Sequence, residues 1–153
     1  VVAVVEEGTK LFFLKRRSWR DPNFTFMFAG IVYSVFVSLG FAAFENIKYV
    51  FTYGLSVAMP RALLAVPGHL GFAVFMGVFY GRAKLCESRG HYFASKVNMA
   101  MGYAAAVFLH GFYDSCCMIG TRQATTVFVV FVVVMYFIVF HMIKRASSKD
   151  RPV

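Results

Sequence analysis

Runs of apolar residues long enough to cross a bilayer, with ionisable side chains set inside them, constrain this chain more than any other feature. Five stretches can be drawn: Val1 to Leu14, about Phe24 to Val50, Pro60 to Tyr80, Val97 to Met118 and Ala124 to Ile143. The first would be only about 21 Å long as a helix and reads as shortened. The last contains TTVFVVFVVVMYFIVFHM, without a single Asp, Glu, Lys or Arg. The runs are continuous rather than alternating, which argues against barrel strands. The expected fold is all-α, a polytopic transmembrane helix bundle of about five membrane segments in one membrane-embedded domain over residues 1–153. The chain opens in mid-hydrophobic run with VVAVV and without an initiating Met. It therefore reads as a piece of a longer membrane protein, with one or more helices upstream.

Composition agrees with a bilayer setting. The chain is 59% hydrophobic, with 19 Phe and 8 Tyr, and its mean hydropathy of +0.66 is far above that of a soluble domain. The net charge of +9 would suit a nucleic-acid binder, but the cations fall between the apolar stretches, so no nucleic-acid partner is expected. Lys15, Arg16, Arg17 and Arg20 follow the first stretch. Arg82, Lys84, Arg89 and Lys96 follow the third, and Lys144, Arg145, Lys149 and Arg151 the fifth. The other two connections hold little beyond Arg61 and Arg122. Basic clusters on alternate loops satisfy the positive-inside rule and place the basic loops and the C-terminus in the cytoplasm. Cys86, Cys116 and Cys117 lack metal-type spacing and read as packing residues or free thiols.

Four of the seven acidic residues, Glu6, Glu7, Glu45 and Asp114, lie within the apolar stretches, together with Lys10, His69 and His110. Ionisable groups are expensive in hydrocarbon and mark function when they persist there. In the orientation above they all fall at similar depth, in the outer half or near the midplane, as members of one site would. Glu6 and Glu7 lie four and three residues before Lys10, within reach on a helix. Two adjacent carboxylates in a poorly solvated place resist double ionisation. Lys10 can neutralise one and leave the other as a general base for water. The bland alternative is a buried ion pair joining helices. His110 and Asp114 share a face at i, i+4, so the Asp can orient the imidazole; a single His can also merely bond a neighbouring carbonyl. His69 follows Pro67-Gly68, where a kink would let backbone or substrate come close; it can equally be a packing residue at a hinge. In FENIKY, Glu45 and Tyr49 share a face and Asn46 can hydrogen-bond across helices, while Tyr49 also suits an interfacial anchor. The stretch FVSLGFAAF can line a groove or simply pack. His91 and His141 fall on the cytoplasmic side and read as bystanders.

In order along the chain, Glu6-Glu7-x-x-Lys10, Phe44-Glu45-Asn46-x-x-Tyr49, Pro67-Gly68-His69 and His110-x-x-x-Asp114 resemble the motifs of the PrsW intramembrane proteases, relatives of the CAAX prenyl proteases and of bacterial immunity-type membrane proteases. The CAAX relatives carry EExxxR where this chain has EExxK, so the resemblance is to the PrsW branch. It implies peptide-bond hydrolysis in or near the cell membrane of a bacterium or archaeon, with a single-pass membrane protein such as an anti-sigma factor as substrate. Carried onto this sequence, Glu6 or Glu7 is the base, His69 and His110 are oxyanion or water-positioning groups, and Asp114 holds His110 or water; Lys10, Glu45, Asn46 and Tyr49 support them. Glu6, His69, His110 and Asp114 can also be drawn as zinc ligands. There is no H-E-x-x-H pair, and the reading preferred here is a glutamate mechanism with no metal or other cofactor. Two other classes remain open at this point: a proton-coupled transporter or channel, and a non-catalytic membrane adaptor or immunity protein.

Overall fold

The computed structural model describes residues 1–153 as five helices: α1 (Val2–Ser18), α2 (Ala29–Tyr53), α3 (Ala58–Ser88), α4 (Tyr92–Ile119) and α5 (Arg122–Ser148), with a short 3-10 turn at Leu55–Val57 before α3. No strand forms beyond an isolated bridge between Phe26 and Pro152. The all-α expectation holds. The helices outrun the apolar windows because backbone hydrogen bonding continues into polar flanks: α3 runs two turns past Tyr80, and α5 ends at Ser148 rather than Ile143. The second window began too early. Residues 24–28 instead lead into α2 from a turn at residues 21–24, where Asp21 Oδ1 accepts from the Asn23 backbone N–H at 2.8 Å. Phe24 packs inward against Trp19, Tyr33 and Tyr80.

The molecule is turned inside out relative to a soluble protein. Phe36, Phe51, Phe93 and Phe137 are 73–86% exposed, whereas Glu7, Lys10, His69 and His110 are at most 4% exposed. That inversion is what hydrocarbon surroundings select. Three helical stretches are long and apolar enough to cross a membrane: Ala29–Tyr53, Leu55–Ser88 and Arg122–Ser148. Of the other two, α1 is only 17 residues long and ends in the basic run Lys15, Arg16 and Arg17, and α4 carries Lys96, His110 and Asp114. The chain is an integral membrane protein.

Connections are short, and consecutive helices pack against each other, α1 on α2, α2 on α3, α3 on α4 and α4 on α5. Such turns make neighbours antiparallel. The basic ends of α1, α3 and α5 therefore gather at one end of the bundle, with the acidic and imidazole groups toward the other. Helix α3 is the hub, in contact with α2, α4 and α5; it continues through Pro67 without interruption. Close approach on α2 depends on glycine. A Cβ on Gly77 would stand 2.6 Å from the Ile31 Cα, and one on Gly30 would stand 2.6 Å from the Gly81 N. Small residues at such seams let transmembrane backbones touch. Two serines one turn apart on α2 reinforce the seam. Ser34 donates to the Ala73 carbonyl at 2.8 Å and Ser38 to the His69 carbonyl at 3.0 Å. Gly77→Val is accordingly expected to destabilise the protein by about 3 kcal/mol, the upper range for overpacking. A matched Gly40→Val, at a position with open space around it, should change little. Thermal unfolding of both variants in detergent checks this.

Candidate active site within the bundle

Helix α1 buries Ala3, Glu7, Lys10, Leu14 and Ser18, a stripe at helical spacing. Glu7 and Lys10 thus face α3 and α4. The Lys10 ammonium donates to Glu7 Oε1 at 2.6 Å and to His69 Nδ1 at 2.8 Å. Glu7 Oε1 also accepts from His110 Nδ1 at 2.8 Å. On the far side of His69, Nε2 donates to Glu45 Oε2 at 3.0 Å, and Arg61 Nη2 lies 2.9 Å from that same oxygen. One continuous polar chain, His110–Glu7–Lys10–His69–Glu45–Arg61, therefore ties four helices together. A chain of alternating acceptors and donors is how charged groups are tolerated away from water.

The partners fix the tautomers. An ammonium has only donors, so His69 Nδ1 must accept and Nε2 carries the proton. His110 uses its Nδ1–H on Glu7, which leaves Nε2 facing Asp114 Oδ2 at 3.4 Å and Glu6 Oε2 at 3.8 Å. Phe72 stacks on the His110 ring at 5.0 Å between centroids and holds its plane. The two histidine rings stand 5.3 Å apart, nearly perpendicular.

The adjacent glutamates occupy different environments. Glu7 is fully enclosed, and its Oε1 serves both Lys10 and His110. Glu6 is half-buried, and its Oε2 is enclosed without any hydrogen-bond partner, as is Glu7 Oε2. Buried acceptors are seldom left this way, and those that are call for a functional explanation. Glu6, Glu45, His69, His110 and Asp114 line a cavity of about 500 Å³, with Arg61 and Tyr49 also in its wall.

The donor set fits a divalent metal. Ligand atoms of Glu6, His69 and His110 lie within 4.8 Å of one another, and two histidines with one glutamate are a known catalytic zinc set. His110 already has the carboxylate backing that ligating histidines use. His69 would have to release either Lys10 or Glu45 to join. Asp114, expected as a fourth ligand, lies outside this triad.

Every residue proposed from sequence as catalytic, Glu6, Glu7, His69, His110 and Asp114, comes to this one place, with Lys10 and Glu45. Asn46 and Tyr49 do not reach the catalytic groups. They hold Arg61 instead: Arg61 Nε donates to Asn46 Oδ1 at 2.9 Å, and the guanidinium lies 3.6 Å over the Tyr49 ring. Arg61 itself was missed, and so was Phe72. The signal for Arg61 was a single cation beside Pro60 opposite three motif residues at i, i+1 and i+4; for Phe72 it was an aromatic three residues after His69. His91 and His141 are exposed and remote. FVSLGFAAF supplies Val37, Phe41 and Phe44 to an apolar cleft of about 350 Å³ between α1 and α2 that reaches Lys10.

Residues 1–142 match the family model described as PrsW family intramembrane metalloprotease. The chain belongs to the PrsW family. Among its relatives, Protease PrsW of Clostridioides difficile (strain 630) is 31% identical over 157 residues, covering 100% of this chain and 65% of that protein. Protease PrsW of Halalkalibacterium halodurans is 32% identical over 146 residues, 95% of this chain and 66% of the relative. That of Bacillus subtilis (strain 168) is 36% identical over 110 residues, 72% of this chain and 49% of the relative. The chain thus spans about 65% of the length of the first curated relative it matches. No solved structure matches it. The expectation that the site works without a metal gains no support, given the family's description and the Glu6, His69, His110 triad.

Proposed function

We propose that this chain is the catalytic core of an intramembrane endopeptidase in which Glu6 activates the attacking water. The observation that carries this reading is the contrast between the two glutamates: Glu7 is engaged through Oε1 by Lys10 and His110, while no hydrogen bond engages the Glu6 side chain, whose Oε2 faces His110 across 3.8 Å. A polar gap of that width suits a bridging water. Glu6 would take its proton as the oxygen attacks the peptide carbonyl, then return the proton to the leaving amine. His69 Nε2–H would turn from Glu45 to the developing oxyanion, and Glu45 would keep Arg61 as its partner. Asp114 would steady His110 or the water. Glu7 and Lys10 hold the two imidazoles in their tautomers.

A second reading is favoured by the ligand triad and the family description. Glu6, His69 and His110 would then hold a divalent metal such as zinc, which would supply Lewis-acid polarisation of water and of the scissile carbonyl. The substrate we propose is a single-pass membrane protein of the anti-sigma type, cut toward the outer side of the cell membrane, with the basic end and the C-terminus in the cytoplasm. The motif resemblance extends this reading to the wider superfamily of CAAX prenyl proteases.

The test is cleavage of such a single-pass substrate by the full-length protein in detergent, with and without a strong zinc chelator. Cleavage that survives the chelator supports the metal-free glutamate mechanism. Loss that zinc restores assigns the triad as ligands. No cleavage under either condition, by protein shown to be folded, overturns the protease reading. In the same assay Arg61→Ala should reduce cleavage by about tenfold, because Glu45 would lose its second partner and pull on His69. His91→Ala and His141→Ala should leave the rate within about twofold.

A further inference from the structure

At the basic end of the bundle, α2 and α5 both pack on α3, yet the backbones of α2 and α5 stay apart. The gap between them is a cavity of about 490 Å³. Its floor is apolar, with Ile31 of α2 and Val78 and Phe79 of α3 among the lining residues. Its rim carries Arg82, Arg145, Lys149 and Arg151, and no Asp or Glu lines it. None of these four cations takes part in an ion pair. The one acid nearby in sequence, Asp150, is engaged elsewhere: its Oδ1 accepts from the backbone N–H groups of Phe28 and Arg151, each at 2.9 Å. The C-terminal residues are also tied down. The Met27 N–H donates to the Arg151 carbonyl and the Val153 N–H to the Thr25 carbonyl, both at 2.9 Å. Lys149 and Arg151 are therefore held at the rim by backbone bonds.

Four cations around one cleft repel one another unless an anion lies among them. The cleft runs from a charged rim onto an apolar floor and lies between α2 and α5. An anion with an attached apolar tail matches both parts. We propose that this cleft is a binding site for an anionic phospholipid, with the headgroup phosphate among Arg82, Arg145, Lys149 and Arg151 and an acyl chain lying over Ile31, Val78 and Phe79. Arginines favour this ligand because their planar fork pairs with phosphate oxygens. The cleft's Arg82 stands about 20 Å along α3 from His69, and the site rests on no assumption about catalysis.

The experiment uses the full-length protein in mild detergent and measures bound lipid by native mass spectrometry. Phosphatidylglycerol and phosphatidylcholine are titrated, with inorganic phosphate and glycerol 3-phosphate as soluble competitors. The expected result is phosphatidylglycerol binding at least about tenfold tighter than phosphatidylcholine, lost in the double variant Arg82→Gln with Arg145→Gln. The double variant Arg16→Gln with Arg17→Gln, with the same charge change at the same end but outside the cleft, should keep the preference. Equal loss in both double variants would overturn the proposal in favour of diffuse surface attraction. Displacement of the lipid by millimolar phosphate would reassign the cleft to a free anion. If the Gln variant does not fold, the wild-type headgroup comparison decides, and absence of a phosphatidylglycerol preference overturns the site.

Discussion

Glu6→Gln is expected to lower peptide-bond cleavage by about a thousandfold while the protein stays folded and inserted, since a positioned base is worth that order of rate. Gln matches the shape of Glu and removes only the basic oxygen. Glu6 Oε2 has no hydrogen-bond partner to lose, so the variant has little reason to unfold. Glu7→Gln should behave differently. Glu7 Oε1 accepts from Lys10 and His110, so its replacement would loosen both imidazoles and reduce stability together with activity. Cleavage rates and thermal unfolding of the two variants, measured side by side in detergent, separate these roles. Full hydrolysis by Glu6→Gln would remove Glu6 from the role of base.

Lys10→Met is expected to cost about 3–5 kcal/mol of stability, the usual consequence of removing one partner from a buried charge pair. The ammonium is 2% exposed and bonds both Glu7 and His69. Its loss leaves the enclosed Glu7 carboxylate with His110 alone and frees His69 to change tautomer. Adding Glu7→Gln to Lys10→Met removes the orphaned charge, so the double variant should recover much of the stability. It should not recover cleavage, because His69 and His110 would still lack the groups that orient them. Denaturation midpoints across this double-mutant cycle give the coupling directly. Independent, additive effects would show that the pair is not coupled.

Much of this was legible in the sequence. Ionisable residues inside apolar runs announced a shared site, because hydrocarbon penalises them wherever they are not gathered. The helices followed from the same runs. Their ends did not, since hydropathy marks the part of a helix inside lipid and says nothing of the turns that project beyond it. Glu6 and Glu7 looked equivalent because neighbours in sequence differ in environment only through the rotation of about 100° between them on a helix. Only the packing of α1 against α4 shows that Glu7 points into the bundle and Glu6 to the cavity. Arg61 escaped notice for a related reason. Its partners Glu45, Asn46 and Tyr49 lie on α2, and their common target becomes visible once α3 turns back beside them.

The placement of Glu6, Glu7 and Lys10 on α1 has a consequence for how the protein is made. At about 3 kcal/mol per charged residue near a helix centre, α1 is a poor candidate for partition into lipid on its own. Its ionic groups become tolerable when His69 of α3 and His110 of α4 arrive. A cysteine at position 9 should therefore stay open to aqueous thiol reagents in nascent chains that end before α3, and become shielded in chains that extend past α4. A reagent-shielded cysteine in the shorter chains would sink this idea. On this account, membrane insertion of α1 and completion of the reactive centre are one event. A half-synthesised copy would then lack an assembled centre with which to attack its neighbours during biogenesis.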